Sequence, residues 1–185
     1  MSSFLNPGLV RRVPVFLAAA ALACIALQAC SKAPPDRLGI PIEGYNHTSA
    51  AINHFDVNGN GGPNIGPFGG GGSQMCCVSM PRKWYPGLTV VVEWEKDPNV
   101  GASQYWTESF SSNAWRVRMK EHRSKYTRHR AVVEVAPYER LGAITLHFLP
   151  CDQVKVSADQ TYPGIANHPY DYPRKMEEPS VCPAS

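Results

Sequence analysis

The reactive side chains of this chain form four groups: a basic run, six cysteines, six histidines and a glycine-rich segment. From Arg116 to Arg130, seven Lys or Arg residues stand against one acid, Glu121. That stretch carries +6, whereas the whole chain carries +3. A concentrated positive charge attracts acidic protein faces or anionic head groups, and salt weakens the attraction. The candidate partner-binding residues are Arg116, Arg118, Lys120, Arg123, Lys125, Tyr126 and Arg128. A plain solvated strand face or hairpin is the alternative use of the same residues.

Apart from Cys24 and Cys30, the thiols are Cys76, Cys77, Cys151 and Cys182. No CxxC spacing occurs, so the common structural zinc patterns are missing. Four thiols allow three pairings. Adjacent strand residues face opposite sides, so Cys76 and Cys77 are expected in different environments. A Cys151–Cys182 bond would close a loop of about 30 residues, staple the C-terminal segment and contribute roughly 3 kcal/mol. A redox-active vicinal pair at Cys76 and Cys77 is the functional alternative.

His47, His54, His122, His129, His147 and His168 form no HExxH and no tight ligand pair. His47 could meet His54, and His129 could meet His147, across neighbouring strands. Neither a metal nor a cofactor is expected. Residues 59–72 read GNGGPNIGPFGGGG, with eight glycines. No Gly-Lys-Ser/Thr follows, so the segment does not read as a phosphate loop. It is expected to be a mobile hairpin loop, able to mould to a partner. No GxSxG elbow occurs, and no enzymatic activity or small-molecule substrate is expected.

The elements that must position these residues are short and alternating. Strand patterns cover Ile40–Thr48, Ile52–Val57, Gln74–Met80, Leu88–Trp94, Ala131–Val135, Ile144–Leu149 and Val154–Val156. Their spacing predicts an all-β fold, mainly an antiparallel sheet or small β-sandwich. Between Asn99 and Thr127, Trp115, Val117 and Met119 alternate with cations, which predicts a further strand. Trp115 and Met119 are also four apart, which leaves one short helix as the alternative. The β-rich domain spans 40–160, and 161–185 forms a proline-rich segment expected to be irregular and to pack across the surface.

Composition agrees with a folded chain. Of 185 residues, 43% are hydrophobic and 18% charged, which excludes wholesale disorder, collagen and coiled coil. Fifteen glycines and seventeen prolines suit short strands and loops better than long helices. Residues 1–29 hold Arg11, Arg12 and no acid. The remainder carries only about +1, so nucleic acid is not an expected partner.

The N-terminus reads as an address. Arg11-Arg12 precede an uncharged apolar run, Val13 to Leu27, too short for the roughly 20 residues of a membrane span. It reads as a signal peptide over 1–29. Leu27-Gln28-Ala29-Cys30 resembles a bacterial lipobox, which makes Cys30 the lipidation site. Two or more acyl chains anchor stably. Residues 30–39 form the lipidated cysteine and a tether. The expected location is the outer membrane, with the domain facing the periplasm.

Several strings then act together: GYNHT at 44–48, FDVNG at 55–59 and CCVSMPRKWYPGLTVVVEW at 76–94. They continue with KYTRHR at 125–130, AVVEVAPY at 131–138 and LGAITLHFLPCDQVKV at 141–156. This combination resembles the Gram-negative lipoprotein family called domain of unknown function 3304. Genes of that family often lie beside type VI secretion phospholipase effectors. The resemblance implies an immunity lipoprotein that blocks such a lipase by covering its active site. The glycine-rich loop and the basic run are the two candidate surfaces, with Trp106, Trp115 and Tyr126 as contributing aromatics. The alternative is a structural envelope lipoprotein contacting peptidoglycan or an outer-membrane assembly.

Overall fold

A computed structural model of the chain describes residues 36–183. The expected signal peptide, the expected lipidation site Cys30 and most of the expected tether lie outside the described residues. The strands are β1 (Arg37–Asn46), β2 (Ala51–Val57), β3 (Asn60–Gly62), β4 (Met75–Pro81), β5 (Thr89–Asp97), β6 (Thr127–Glu134), β7 (Leu141–Leu149) and β8 (Gln153–Asp159). One α-helix, α1 (Asn113–Arg123), stands between β5 and β6. One sheet has the order β4-β1-β7-β8 and the other β3-β2-β5-β6. All pairs are antiparallel except β1 with β7. The protein is a mainly antiparallel, all-β sandwich. β1 begins at Arg37, inside the expected tether, because Arg37 pairs with Pro81 and its guanidinium reaches the Ser79 side chain and carbonyl.

Alternation supplies the core from both sheets. Val90, Val92 and Trp94 of β5 point inward, as do Ile144, Leu146 and Phe148 of β7. A register shift near Asn53 turns both Ile52 and Phe55 to the same side. Phe148 meets Phe55 edge-on at 5.2 Å and Trp94 at 5.9 Å, closing the two sheets on each other. Val135 and Ala136 then leave β6 to bond along β8, tying one sheet to the other.

β7 is buried at every position from Ile144 to Leu149, so alternation alone does not describe it. Its second face is covered. Residues 160–183 form neither helix nor strand and lie along that face, where His168 meets Ser157 and Met176 N–H donates to the His47 carbonyl. The Cys151–Cys182 disulfide, with Cα atoms 5.4 Å apart, secures the far end of this segment. The Glu178 carboxylate accepts from Cys151 N–H close by.

Three expectations are corrected. The glycine-rich segment is not a free loop. Asn46 N–H donates to Gly69 and Gly71 N–H to Gly44, while Ile65 exchanges backbone bonds with Ile52 and is buried. Glycine is required at Gly70, where φ is +131° and a Cβ would overlap the Gly44 carbonyl and Tyr45 backbone.

Cys76 and Cys77 are not in separate environments; they are bonded to each other. Ile40 pairs with Val78 but Ile42 with Met75, so the two cysteines occupy the irregularity where alternation lapses. The expected histidine meetings do not occur either. Exposed His54 faces Glu95, and His129 stacks on Trp94 at 5.1 Å. It is His47 and His147 that meet, at 2.9 Å, because β1 and β7 are parallel neighbours.

Candidate protein-docking surface

β6 pairs with β5 along its whole length, from Thr89–Glu134 to Lys96–Thr127. Such neighbours usually need about 2–5 connecting residues. Here residues 98–126 intervene, and they carry most of the basic run. A connection of that length is far more than the pairing of β5 with β6 requires.

The middle of the connector is α1, which corrects the expected strand over this stretch. Ser112 caps it, its hydroxyl accepting from Trp115 N–H at 3.1 Å. Lys120, His122 and Arg123 stand in the last turn, where cations complement the helix dipole. Trp115, Met119 and His122 are spaced i, i+4, i+7 and make the half-buried face. Trp115 packs edge-on against Trp106 at 6.0 Å and Phe110 at 4.9 Å. His122 reaches the Asp97 carboxylate at 3.1 Å and meets the Trp106 and Tyr126 rings, fixing the helix to the end of β5. No α1 residue is fully buried.

The helix divides the seven sequence-predicted residues. Arg116, Lys120 and Arg123 share one face by the i, i+4, i+7 rule. They are exposed and make no ion pair with described residues. Arg118 points elsewhere. It forks onto both Glu108 oxygens at 2.8 Å and lies 5.4 Å over the Trp106 ring. Hydrogen bonds from the Glu108 backbone and from Arg118 hold that carboxyl below its ordinary value.

Lys125 is exposed just beyond the helix. Tyr126 and Arg128 join Arg123 around a shallow depression with Asn53 and Glu95. Arg128 bonds Glu95 at 3.0 Å. Burial works to raise the Glu95 carboxyl, but hydrogen bonds from Arg128 and Asn53 outweigh it, and its pKa lies below the ordinary value. Burial, aided by Asp97, pushes the Tyr126 phenol up, so it remains protonated. The structure therefore brings together Arg123, Tyr126 and Arg128, and separately Arg116, Lys120 and Arg123. Arg118 and Arg128 already have acidic partners.

A concavity of about 710 Å³ lies between α1 and the segment before it, lined by Asn99, Ala102, Trp106, Val117 and Arg118 among others. Tyr105 is 84% exposed, Phe110 78% and Val117 70%. The alternating pattern placed Val117 on the same face as Trp115 and Met119. Helical spacing turns it to solvent instead. Only the i, i+4 spacing of Trp115 and Met119 signalled this, while Tyr105 and Phe110 carried no sequence signal.

With this geometry in place, residues 45–156 match the family model described as protein of unknown function (DUF3304). The chain belongs to this family. The matched segment runs from the end of β1 into β8 and includes the whole connector with α1. The segment after 156, including His168, Tyr170 and Tyr172, lies beyond it. No curated protein matches the chain, and no solved structure does.

Proposed function

We propose that this protein is a lipid-anchored periplasmic binding protein of the outer membrane that neutralises a type VI secretion phospholipase effector through α1. The observation that carries this reading is the face of Arg116, Lys120 and Arg123, cationic and without ion pairs among the described residues, on a connector that also exposes Phe110 and Val117. Aromatic anchors with flanking charge suit protein recognition, the charge steering approach and the rings supplying buried area. The resemblance to immunity lipoproteins supplies the class of partner. Blocking a lipase needs a complementary surface and no catalytic group. A membrane anchor would hold the inhibitor at the surface such a lipase attacks, which raises its effective concentration.

Two experiments test the two halves. The Arg116→Gln/Lys120→Gln/Arg123→Gln variant should capture a lipase-class effector at least roughly tenfold more weakly than wild type at low salt, about 1.4 kcal/mol of binding. Its thermal midpoint should barely move, because all three side chains are exposed. Equal capture by pull-down and mass spectrometry would return α1 to a plain solvated helix. Separately, Cys30→Ala should move the protein from the membrane fraction to the soluble fraction. Unchanged membrane retention would remove the lipid anchor from the proposal.

A further inference from the structure

The two disulfides among the described residues differ in what they hold. Cys151–Cys182 joins residues 31 positions apart and secures the C-terminal segment. Such a bond stabilises by denying the unfolded chain the conformations in which its ends are apart. By the same linkage, folding makes that bond harder to reduce, because the folded chain keeps the two thiols together. Cys76–Cys77 joins immediate neighbours, with a sequence separation of 1. It closes no loop, so this source of stabilisation is absent. Its thiols are neighbours whether or not the chain is folded.

The pair also stands where another molecule can reach it. β4 is an edge strand, with β1 on one side and no described strand on the other. Between Ile40–Val78 and Ile42–Met75, the two cysteines stand opposite a single residue, Pro41, which has no N–H to give the ladder. Cys76 is exposed, and Cys77 is half-buried beside Gly39. Exposed Met75 adjoins them and offers an adaptable apolar contact.

Charge separates the two bonds as well. At Cys151–Cys182, a Glu178 carboxylate oxygen lies within 4.8 Å of both sulfurs. A fixed anion there opposes both an approaching thiolate and the thiolate that must leave. Lys96, 3.5 Å from Glu178, offsets only part of this charge, since it also pairs with Asp152. At Cys76–Cys77, the facing residues Ile40, Pro41 and Ile42 are uncharged. No acid occurs in the sequence between Asp56 and Glu93. Glu43, the nearest acid along β1, is buried and bonded to Gln74 and Thr145.

We propose that Cys76–Cys77 is a thiol–disulfide exchange site that oxidises a dithiol. One thiolate of the dithiol attacks the exposed Cys76 Sγ. The Cys76–Cys77 bond breaks, and Cys77 leaves as a thiolate that takes up a proton. The second thiolate of the dithiol then attacks the sulfur of the first, and Cys76 leaves and is protonated in turn. Two electrons and two protons pass to the pair, and the dithiol becomes a disulfide. With a monothiol, the adjacent Cys77 thiolate expels the attacker again, so a dithiol is the substrate class. The site lies on β4 and does not depend on docking through α1.

The test uses the full chain, purified without reductant. Limiting dithiothreitol is added in one arm and a reduced Cys-Gly-Pro-Cys peptide in the other. Released thiols are alkylated and located by peptide mass spectrometry. Cys76 and Cys77 should be alkylated at least roughly tenfold more than Cys151 and Cys182. The oxidised dithiol should appear in equal amount. Reduction by dithiothreitol alone assigns small dithiols as the substrate, and reduction by the peptide assigns protein dithiols. The Cys76→Ser/Cys77→Ser variant should keep the wild-type thermal midpoint, which a bond that braces the fold would not allow. The proposal is overturned if the purified chain carries Cys76 and Cys77 as free thiols, or if Cys151–Cys182 is reduced first or equally. It is also overturned if neither dithiol reduces the pair, or if the double variant melts well below wild type.

Discussion

Acidification from pH 6.5 to pH 5 should cost this protein about 1.6 kcal/mol of folding stability through His147 alone. An unfolded histidine titrates near 6.5, whereas folded His147 is held down to about 3, first by burial and then by His47 and His168. The unfolded chain thus binds a proton that the native protein refuses. Its contribution is complete above pH 6.5 and is lost progressively as pH falls toward 3. Each pH unit in that window is worth about 1.4 kcal/mol for one proton.

Other groups separate from it. Glu95 and Asp159 lie below their ordinary carboxylate values, so their losses belong to more acidic conditions. Burial also lowers His129, partly opposed by Asp152, and it adds a smaller slope of the same sign. Urea titrations at pH 6.5 and pH 5 measure the difference. His147→Phe keeps a buried ring and should remove most of the slope, and His129→Gln the remainder. An undiminished slope in His147→Phe would mean that His147 is not held neutral.

Phe55→Ala should lower stability by about 3–5 kcal/mol, a large part of the total for a domain of this size. Phe55 is fully enclosed and meets Phe148 across the two sheets. Gly62 lies directly against its ring, where a Cβ would overlap it, and Gly44 lies close to the same end of the ring. Glycine backbone cannot move in to fill the void, so little collapse is available to reduce the cost. A lower urea midpoint with an unchanged denaturant slope is the expected result. A loss below about 1 kcal/mol would mean that the two sheets do not close on this ring.

The strands were legible because alternation is a local property. Val90, Val92 and Trp94 on β5 follow period two, and a sandwich buries one face of each strand. Its failures also have local causes. Near Asn53 and at Cys76–Cys77, register shifts break the alternation that the expectation for the two cysteines assumed. Over Asn113–Arg123 both periods fitted, and the Ser112 cap with the Asp97–His122 contact accompanies the helix. The basic residues of the candidate surface were named from charge alone. Which of them lack ion pairs depends on Glu108 and Glu95, acids whose proximity arises only on folding.

The amino-acid order by itself determined the all-β class, most strand positions, the family resemblance and the concentration of cations after position 115. Each depends on neighbours within a few residues, or on residue identity alone. Tertiary structure decided which thiols joined, which face of β7 was covered, and that His47 would meet His147 rather than His54. Those outcomes follow from β1 and β7 becoming parallel neighbours and from a disulfide-secured segment lying across them. Residues brought together from about a hundred positions apart, as His47 and His147 are, leave no periodicity to read. Their pairing is set by the packing of whole sheets, where burial of the combined core outweighs any local preference.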